Sequence, residues 1–176
     1  MKLHFLPSLL SLFVALACIG NAYAEKADRN KPIQVEADSI TVDDANKVRT
    51  LTGNVILTKG TMQLRTEKLV MTEDADGFQK SVATGGPNGL AYFRQRKDNS
   101  DEYVEGHAER IEHDDKTLLT DLYTRAWLKN GSDEVRGQFI RYNERTENYT
   151  VTNSDSPTAS KGGGRVRAII QPRSDN

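Results

Sequence analysis

Ile33-Gln34-Val35-Glu36-Ala37-Asp38-Ser39-Ile40-Thr41-Val42 is the stretch whose reading decides the fold. Apolar and polar residues alternate on both sides of its Ala37-Asp38 step, the period of a β-strand with one buried face. The apolar positions are odd in Ile33, Val35 and Ala37 but even in Ile40 and Val42. A strand whose inward face switches parity contains a bulge or a corner, here at Asp38-Ser39. The pattern returns in degraded form at residues 62–71, 104–113 and 133–142, with Ile40, Leu69, Ile111 and Ile140 as equivalent anchors. Because 111 − 40 and 140 − 69 are both 71, the chain reads as two similar halves. At that offset Asp43-Asp44 falls on Asp114-Asp115, Leu51 on Leu122, Leu57 on Leu128 and Gly60 on Gly131. A strand-type repeat of this kind predicts copies that bury one face against the next in a stacked or rolled sheet.

Outward from that template, turn residues punctuate short strands and no helical apolar period persists for three turns, so an all-β sandwich, roll or barrel is expected. Acidic turns follow each half's corner strand at Asp43-Asp44-Ala45-Asn46 and Asp114-Asp115, and Gly85-Gly86-Pro87-Asn88-Gly89 marks the half boundary. Thr124-Arg125 stands where the first half has Gly53-Asn54, so the backbone freedom of glycine is expected to be missing from the second half.

The N-terminus reads as an export signal. Lys2 supplies a basic region, residues 6–19 an apolar run, and Ala22-Tyr23-Ala24 a cleavage site, so residues 1–24 are expected to be removed. Acylation of Cys18 is the rival reading, but Ala15-Leu16-Ala17 lacks the leucine expected three residues before a lipoprotein cysteine. The mature chain then holds 176 − 24 = 152 residues, no cysteine and a charge of 23 − 25 = −2. One disulfide-free domain can be built from that length. Near-neutral, interleaved charge argues against a nucleic-acid partner. The expected layout is a leader at 25–31, a β-domain at 32–152, a loop at 153–164, a C-terminal edge strand at 165–171 and a tail at 172–176.

No catalytic constellation is present: the sequence lacks G-x-S-x-G, a phosphate loop and a nucleophilic cysteine, and no cofactor is implied. His107 and His113, six residues apart, could share a strand face, but no third ligand has motif spacing, and the period puts His113 in the slot of Val42, Met71 and Tyr142 as a lining residue. The paired aspartates are read as turn chemistry rather than calcium ligands. What the repeat does provide is a ladder of apolar residues on one expected interior face, among them Ile33, Val35, Ile40, Val42, Leu57, Leu64, Met71, Tyr92 and Ile111. That face is either a close-packed core or the wall of a groove for acyl chains.

Four segments carry a family resemblance: P-I-Q-V-E-A-D (32–38), L-T-G-N-V-I-L-T-K-G (51–60), V-E-G-H-A-E (104–109) and R-V-R-A-I-I-Q-P (165–172). In this order and over nearly all of the mature chain, they resemble the OstA-like family of lipopolysaccharide-transport proteins. The resemblance implies a single-domain, rolled, V-shaped antiparallel β-jellyroll in the periplasm whose interior takes the acyl chains of lipid A. It implies no enzymatic activity. It also implies that copies stack head to tail into a bridge between the periplasmic OstA-like component of an inner-membrane lipopolysaccharide-export complex and an outer-membrane lipopolysaccharide translocon. Carried over by position, Ile33, Val35, Tyr92 and His113 line the interior. His113 departs from the family's aromatic at that position, and Thr124-Arg125 from its Gly-Asn.

Strand physics independently favours stacking. A chain that begins with Ile33-Gln34-Val35-Glu36-Ala37 and ends with Arg165-Val166-Arg167-Ala168-Ile169-Ile170 leaves an unpaired edge at each end, and such edges accept further strands. The alternatives are a carbohydrate-binding jellyroll, which needs clustered exposed aromatics, and an inert periplasmic scaffold with a filled core.

Overall fold

The structure, a computed structural model, describes residues 31–77, 79–97, 100–154 and 164–172. Twelve strands form one continuous antiparallel sheet that rolls onto itself. In chain order these are β1 (Ile33–Glu36), β2 (Ser39–Asp43), β3 (Val48–Lys59), β4 (Met62–Glu73), β5 (Gln79–Thr84) and β6 (Ala91–Arg96). The second half supplies β7 (Tyr103–Ala108), β8 (Arg110–Asp114), β9 (Leu119–Asn130), β10 (Asp133–Asn143), β11 (Asn148–Thr152) and β12 (Arg167–Ile169). The β-jellyroll class expected from the sequence is therefore the class observed. The expected strand at 165–171 is only the three residues of β12, because pairing with β10 is confined to Glu134, Val135 and Arg136.

Four long strands are shared between two sheets. β3, β4, β9 and β10 each pair with one set of partners before a corner and another after it. In the first sheet one register row runs Ile40, Leu51, Leu69, Ala83, Ile111, Leu122, Ile140 and Val151. In the second it runs Val35, Leu57, Leu64, Phe93, Gly106, Leu128, Val135 and Ala168. Partners in an antiparallel pair project to the same face, so the two rows are the facing inner walls of the roll. Between the corners they fuse into one apolar cluster centred on fully buried residues such as Leu51, Leu69, Leu122, Leu128 and Ile140. Close packing here is tight enough that a β-carbon at Gly106 would collide with the Phe93 ring.

The corners explain the parity switches. At the first, β1 stops at Glu36 and β2 begins at Ser39, while β3 shifts register between Thr52 and Val55. The Asp38 N–H donates to the Gly53 carbonyl at 2.9 Å, and Asn54 Nδ2 donates to Asp38 Oδ2 at 3.0 Å. Gly53 and Asn54 take φ of 80° and 48°, and a β-carbon at Gly53 would run into the Asp38 carboxylate. The second half corrects the expectation drawn from its missing glycine. Thr124 and Arg125 take φ of 61° and 54°, so the same left-handed pair is built from residues that disfavour it. Sheet pairing on both sides imposes the bend there, over the local preference of a β-branched residue.

The turns also follow their residues. Asp43 accepts the backbone N–H of Asn46 at 3.1 Å, and Asp114 accepts those of Lys116 and Thr117 at 2.9 and 3.0 Å. Both aspartates act as turn caps.

Candidate functional site

Away from the corners the two inner walls diverge, and a cavity of about 510 Å³ lies between them. Its size falls in the usual range for ligand pockets, roughly 300–1,000 Å³. The floor is apolar, formed by Ile33, Leu57, Met62 and Val104 from the second sheet with Met71 and Tyr142 from the first. Much of the lining lies on rows one step further from the corner than the core rows. In the first sheet that outer row runs Val42, Arg49, Met71, Ser81, His113, Thr120, Tyr142 and Tyr149.

The mouth is charged and cross-linked from sheet to sheet. Lys59, at the end of β3, reaches Asp115 in the β8–β9 turn at 3.5 Å. Lys97, after β6, reaches Glu147 in the β10–β11 turn at 3.1 Å and Glu102 of its own loop at 3.3 Å. Asn130 Nδ2 donates to the Glu147 carbonyl at 3.3 Å. Both lysines are largely buried, with side-chain exposures of 14% and 16%. Burial pulls the Lys97 ammonium down, but the hydrogen bonds and charges of Glu147 and Glu102 outweigh it and raise its pKa.

His113 sits at the centre of the mouth. Nε2 lies 3.0 Å from Asp115 Oδ1, and Nδ1 lies 3.0 Å from Thr120 Oγ1 and 3.1 Å from Glu144 Oε1. Thr120 Oγ1 donates to the same Glu144 oxygen at 2.9 Å. Burial lowers the imidazole pKa, but hydrogen bonds to Asp115 and Glu144 push it up to about 9. Asp115 responds in the opposite sense: burial raises its carboxyl, and His113 and Lys59 bring it below its ordinary value. The interior therefore holds an imidazolium between two carboxylates at neutral pH.

The sequence-derived lining residues separate into three groups. Ile33, Leu57, Met71 and His113 line the cavity. Val35, Leu64 and Ile111 lie on the inner walls but pack into the core. Ile40 and Val42 face the interior side of β2, yet they are 51% and 53% exposed because β2 pairs with β3 alone and nothing lies over its inner face among the described residues. Tyr92 is a correction. In β6 the buried positions are Ala91 and Phe93, so Tyr92 points outward, where its hydroxyl donates to Glu105 Oε2 at 2.8 Å. Burial and the Glu105 carboxylate push its phenol up to about 12. The inward aromatic of that strand is Phe93, 5% exposed.

The conceivable histidine pair is also excluded by the fold. A corner separates β7 from β8, so His107 stacks on Trp127 on the outer face, ring centroids 4.9 Å apart, while His113 faces inward. Among the described residues no cluster of three or more His, Cys, Asp or Glu is arranged to hold a metal.

At the edges of the sheet, β1 and β2 end one side of both walls and β11 and β12 the other. Gln34 and Glu36 project from β1 to the outer face, Ala37 follows it packed against the core, and Val166, Ile169 and Ile170 at the other edge are 47%, 56% and 74% exposed. Arg165, Arg167 and Ala168 are likewise exposed. Lys59, Met62, Lys97, Glu144 and Glu147 were not singled out from sequence, and Asp115 was read as a turn residue. The contacts that matter join residues 56 and 50 positions apart, a separation that leaves no local spacing signal.

The rolled β-jellyroll, with a cavity between its walls and edge strands open at both sides, is the fold, and two comparisons fix the family. Residues 34–148 match the family model described as "LptA/(LptD N-terminal domain) LPS transport protein", and the chain belongs to that family. It is 30% identical over 151 residues to the lipopolysaccharide export system protein LptA of Escherichia coli K12, covering 86% of this chain and 77% of that one. Lipopolysaccharide export system protein LptH of Pseudomonas aeruginosa is 23% identical over 173 residues, covering 97% and 98% of the two chains. The crystal structure of the latter, the LptA-homologous periplasmic component of its lipopolysaccharide transport device, superposes with a TM-score of 0.73 at 22% identity, covering 83% and 99%. It has the same fold.

Proposed function

We infer that the protein is a periplasmic carrier that holds the acyl chains of lipopolysaccharide between its two sheets and passes them along a head-to-tail stack of copies. The observation that carries this reading is the apolar cavity between walls that are otherwise close-packed. Burying an acyl chain there removes apolar surface from water on both ligand and protein, at roughly 25 cal/mol per Å². A carbohydrate-binding jellyroll would need a cluster of exposed aromatics, and the Trp127 ring is stacked on His107. A filled-core scaffold would not leave the cavity.

The open strands support stacking. Exposed main chain and apolar residues at β1–β2 and at β11–β12 are complementary ends for β-augmentation, and successive cavities would then join. The end copies would engage the periplasmic OstA-like component of an inner-membrane export complex and the outer-membrane translocon in the same manner. Family membership and an export-type N-terminus support this placement; residues 1–30 lie outside the described residues.

Photo-crosslinking tests the reading. A photoreactive residue at position 33 or 71 is expected to form an adduct with lipopolysaccharide, and one at position 92, on the outer face, is not. Adducts from none of them, or from 92 alone, would sink it. For stacking, Ile169→Lys is expected to shift sedimentation of concentrated protein toward monomer; an unchanged profile would count against the edge model.

A further inference from the structure

The cavity's apolar floor accounts for acyl chains but not for the charge at its mouth. Five cationic side chains border it, Lys59, Arg96, Lys97, Lys116 and Arg145, and His113 adds an imidazolium. Three carboxylates, Asp115, Glu144 and Glu147, border it as well, and from beyond the lining Asp76 and Asp74 pair with Lys116 and Glu102 with Lys97. A mouth of this composition suits an amphiphile whose head is anionic. The two most buried of the cations, Lys59 and Lys97, both belong to the second sheet, and both find their cross-cleft carboxylate on a turn of the first. These two ion pairs therefore tie the walls together at the place where a ligand enters.

We propose that Lys59 and Lys97 form a binding subsite for a phosphate monoester on the ligand's head, and that the phosphate displaces Asp115 and Glu147 from them as the mouth opens. The exchange is chemically matched. A phosphate offers up to two charges and three acceptor oxygens where each carboxylate offers one charge, so two ammonium groups can converge on it. Lys97 would keep Glu102 at 3.3 Å, but Lys59 could not simply lose its partner, because an unpaired ammonium in so enclosed a site is costly. Asp115 does not become orphaned, since His113 Nε2 remains 3.0 Å away, and Glu147 is 39% exposed and can turn to water. The head group's charge thus unlocks the two walls and selects against uncharged lipids.

The proposal rests on the acyl-chain reading and can fail separately from it. The probes are bisphosphorylated lipid A and the same lipid after enzymatic removal of both phosphates, with affinity read by crosslinking yield from position 33 across a lipid titration. Wild-type protein is expected to bind the phosphorylated lipid about tenfold tighter or more. Lys59→Met with Lys97→Met, which keeps the side-chain stems, is expected to reduce that preference to about parity. Lys59→Arg with Lys97→Arg is expected to restore it, which separates a charge subsite from a packing defect. A preference that survives in the methionine variant, or that is absent from wild type, overturns the subsite. Failure of wild type to bind either lipid overturns the acyl-chain reading with it.

Discussion

The two halves build the same corner from opposite materials. In the first, Gly53-Asn54 adopts the left-handed pair at little cost and makes room for the Asp38 carboxylate. In the second, Thr124-Arg125 adopts it under strain, and the arginine is held by Glu109 Oε1 at 2.7 Å and by the Asn88 carbonyl at 3.2 Å. The halves differ again one row from the corner, where Val42 is exposed on β2 and His113 is enclosed on β8. The difference teaches that the backbone of each repeat is set by its pairing partners. Side-chain identity then differs between the halves, with glycine at the first corner against threonine at the second and valine on β2 against histidine on β8.

Exchanging residues between the halves breaks or sharpens that comparison. The largest effect is expected at Gly53→Thr, which imposes a strained β-branched residue and drives its side chain into Asp38; a loss of about 3 kcal/mol should appear in denaturant unfolding. A loss below about 1 kcal/mol would mean that the corner tolerates either residue type.

Next in size is the pH dependence from His113. Folding raises its pKa to about 9, so its contribution is fully present below the unfolded value near 6.5 and is lost as pH rises through about 9. Stability should fall on the order of 2–3 kcal/mol across that window, and His113→Val, the first-half residue, should flatten the slope there. Asp115, whose pKa folding lowers, contributes above its unfolded value and loses that contribution as pH falls below it. Identical wild-type and variant slopes between pH 6.5 and 9 would refute the imidazolium assignment.

Thr124→Gly should act in the stabilising direction, by about 1 kcal/mol, since relief of the left-handed threonine exceeds the entropy that glycine adds to the unfolded chain. Smallest is the turn pair. Asp114→Ala removes two hydrogen bonds accepted from backbone N–H groups and the Lys80 pair at 3.1 Å, whereas Asp43→Ala removes the contacts to Asn46 and Ala45. Losses of about 1 and about 0.5 kcal/mol are expected, in that order, by thermal melting of each variant.

The legible parts were those with short-range periodicity. Parity switches at Ala37-Asp38 and its three copies located the corners, because a pleated strand shows its buried face in every second residue. The family segments at 32–38 and 51–60 coincide with β1 and the first corner. At Tyr92 alternation is silent: Ala91, Tyr92 and Phe93 are all apolar or aromatic, so no parity shows, and only pairing with β4 and β7 turns the tyrosine outward. Residues 155–163 and 173–176, the greater part of the expected loop and tail, lie outside the described residues.

By itself, then, the amino-acid order determined an all-β roll in two similar halves, because alternation and turn residues act over a few positions. Tertiary structure alone decided where the walls pack and where they part, since the cavity depends on two sheets that meet only after every corner has closed. It also decided the mouth. Lys59 with Asp115 and Lys97 with Glu147 are brought together by the roll of the sheet, and charges 56 and 50 residues apart leave no pattern along the chain.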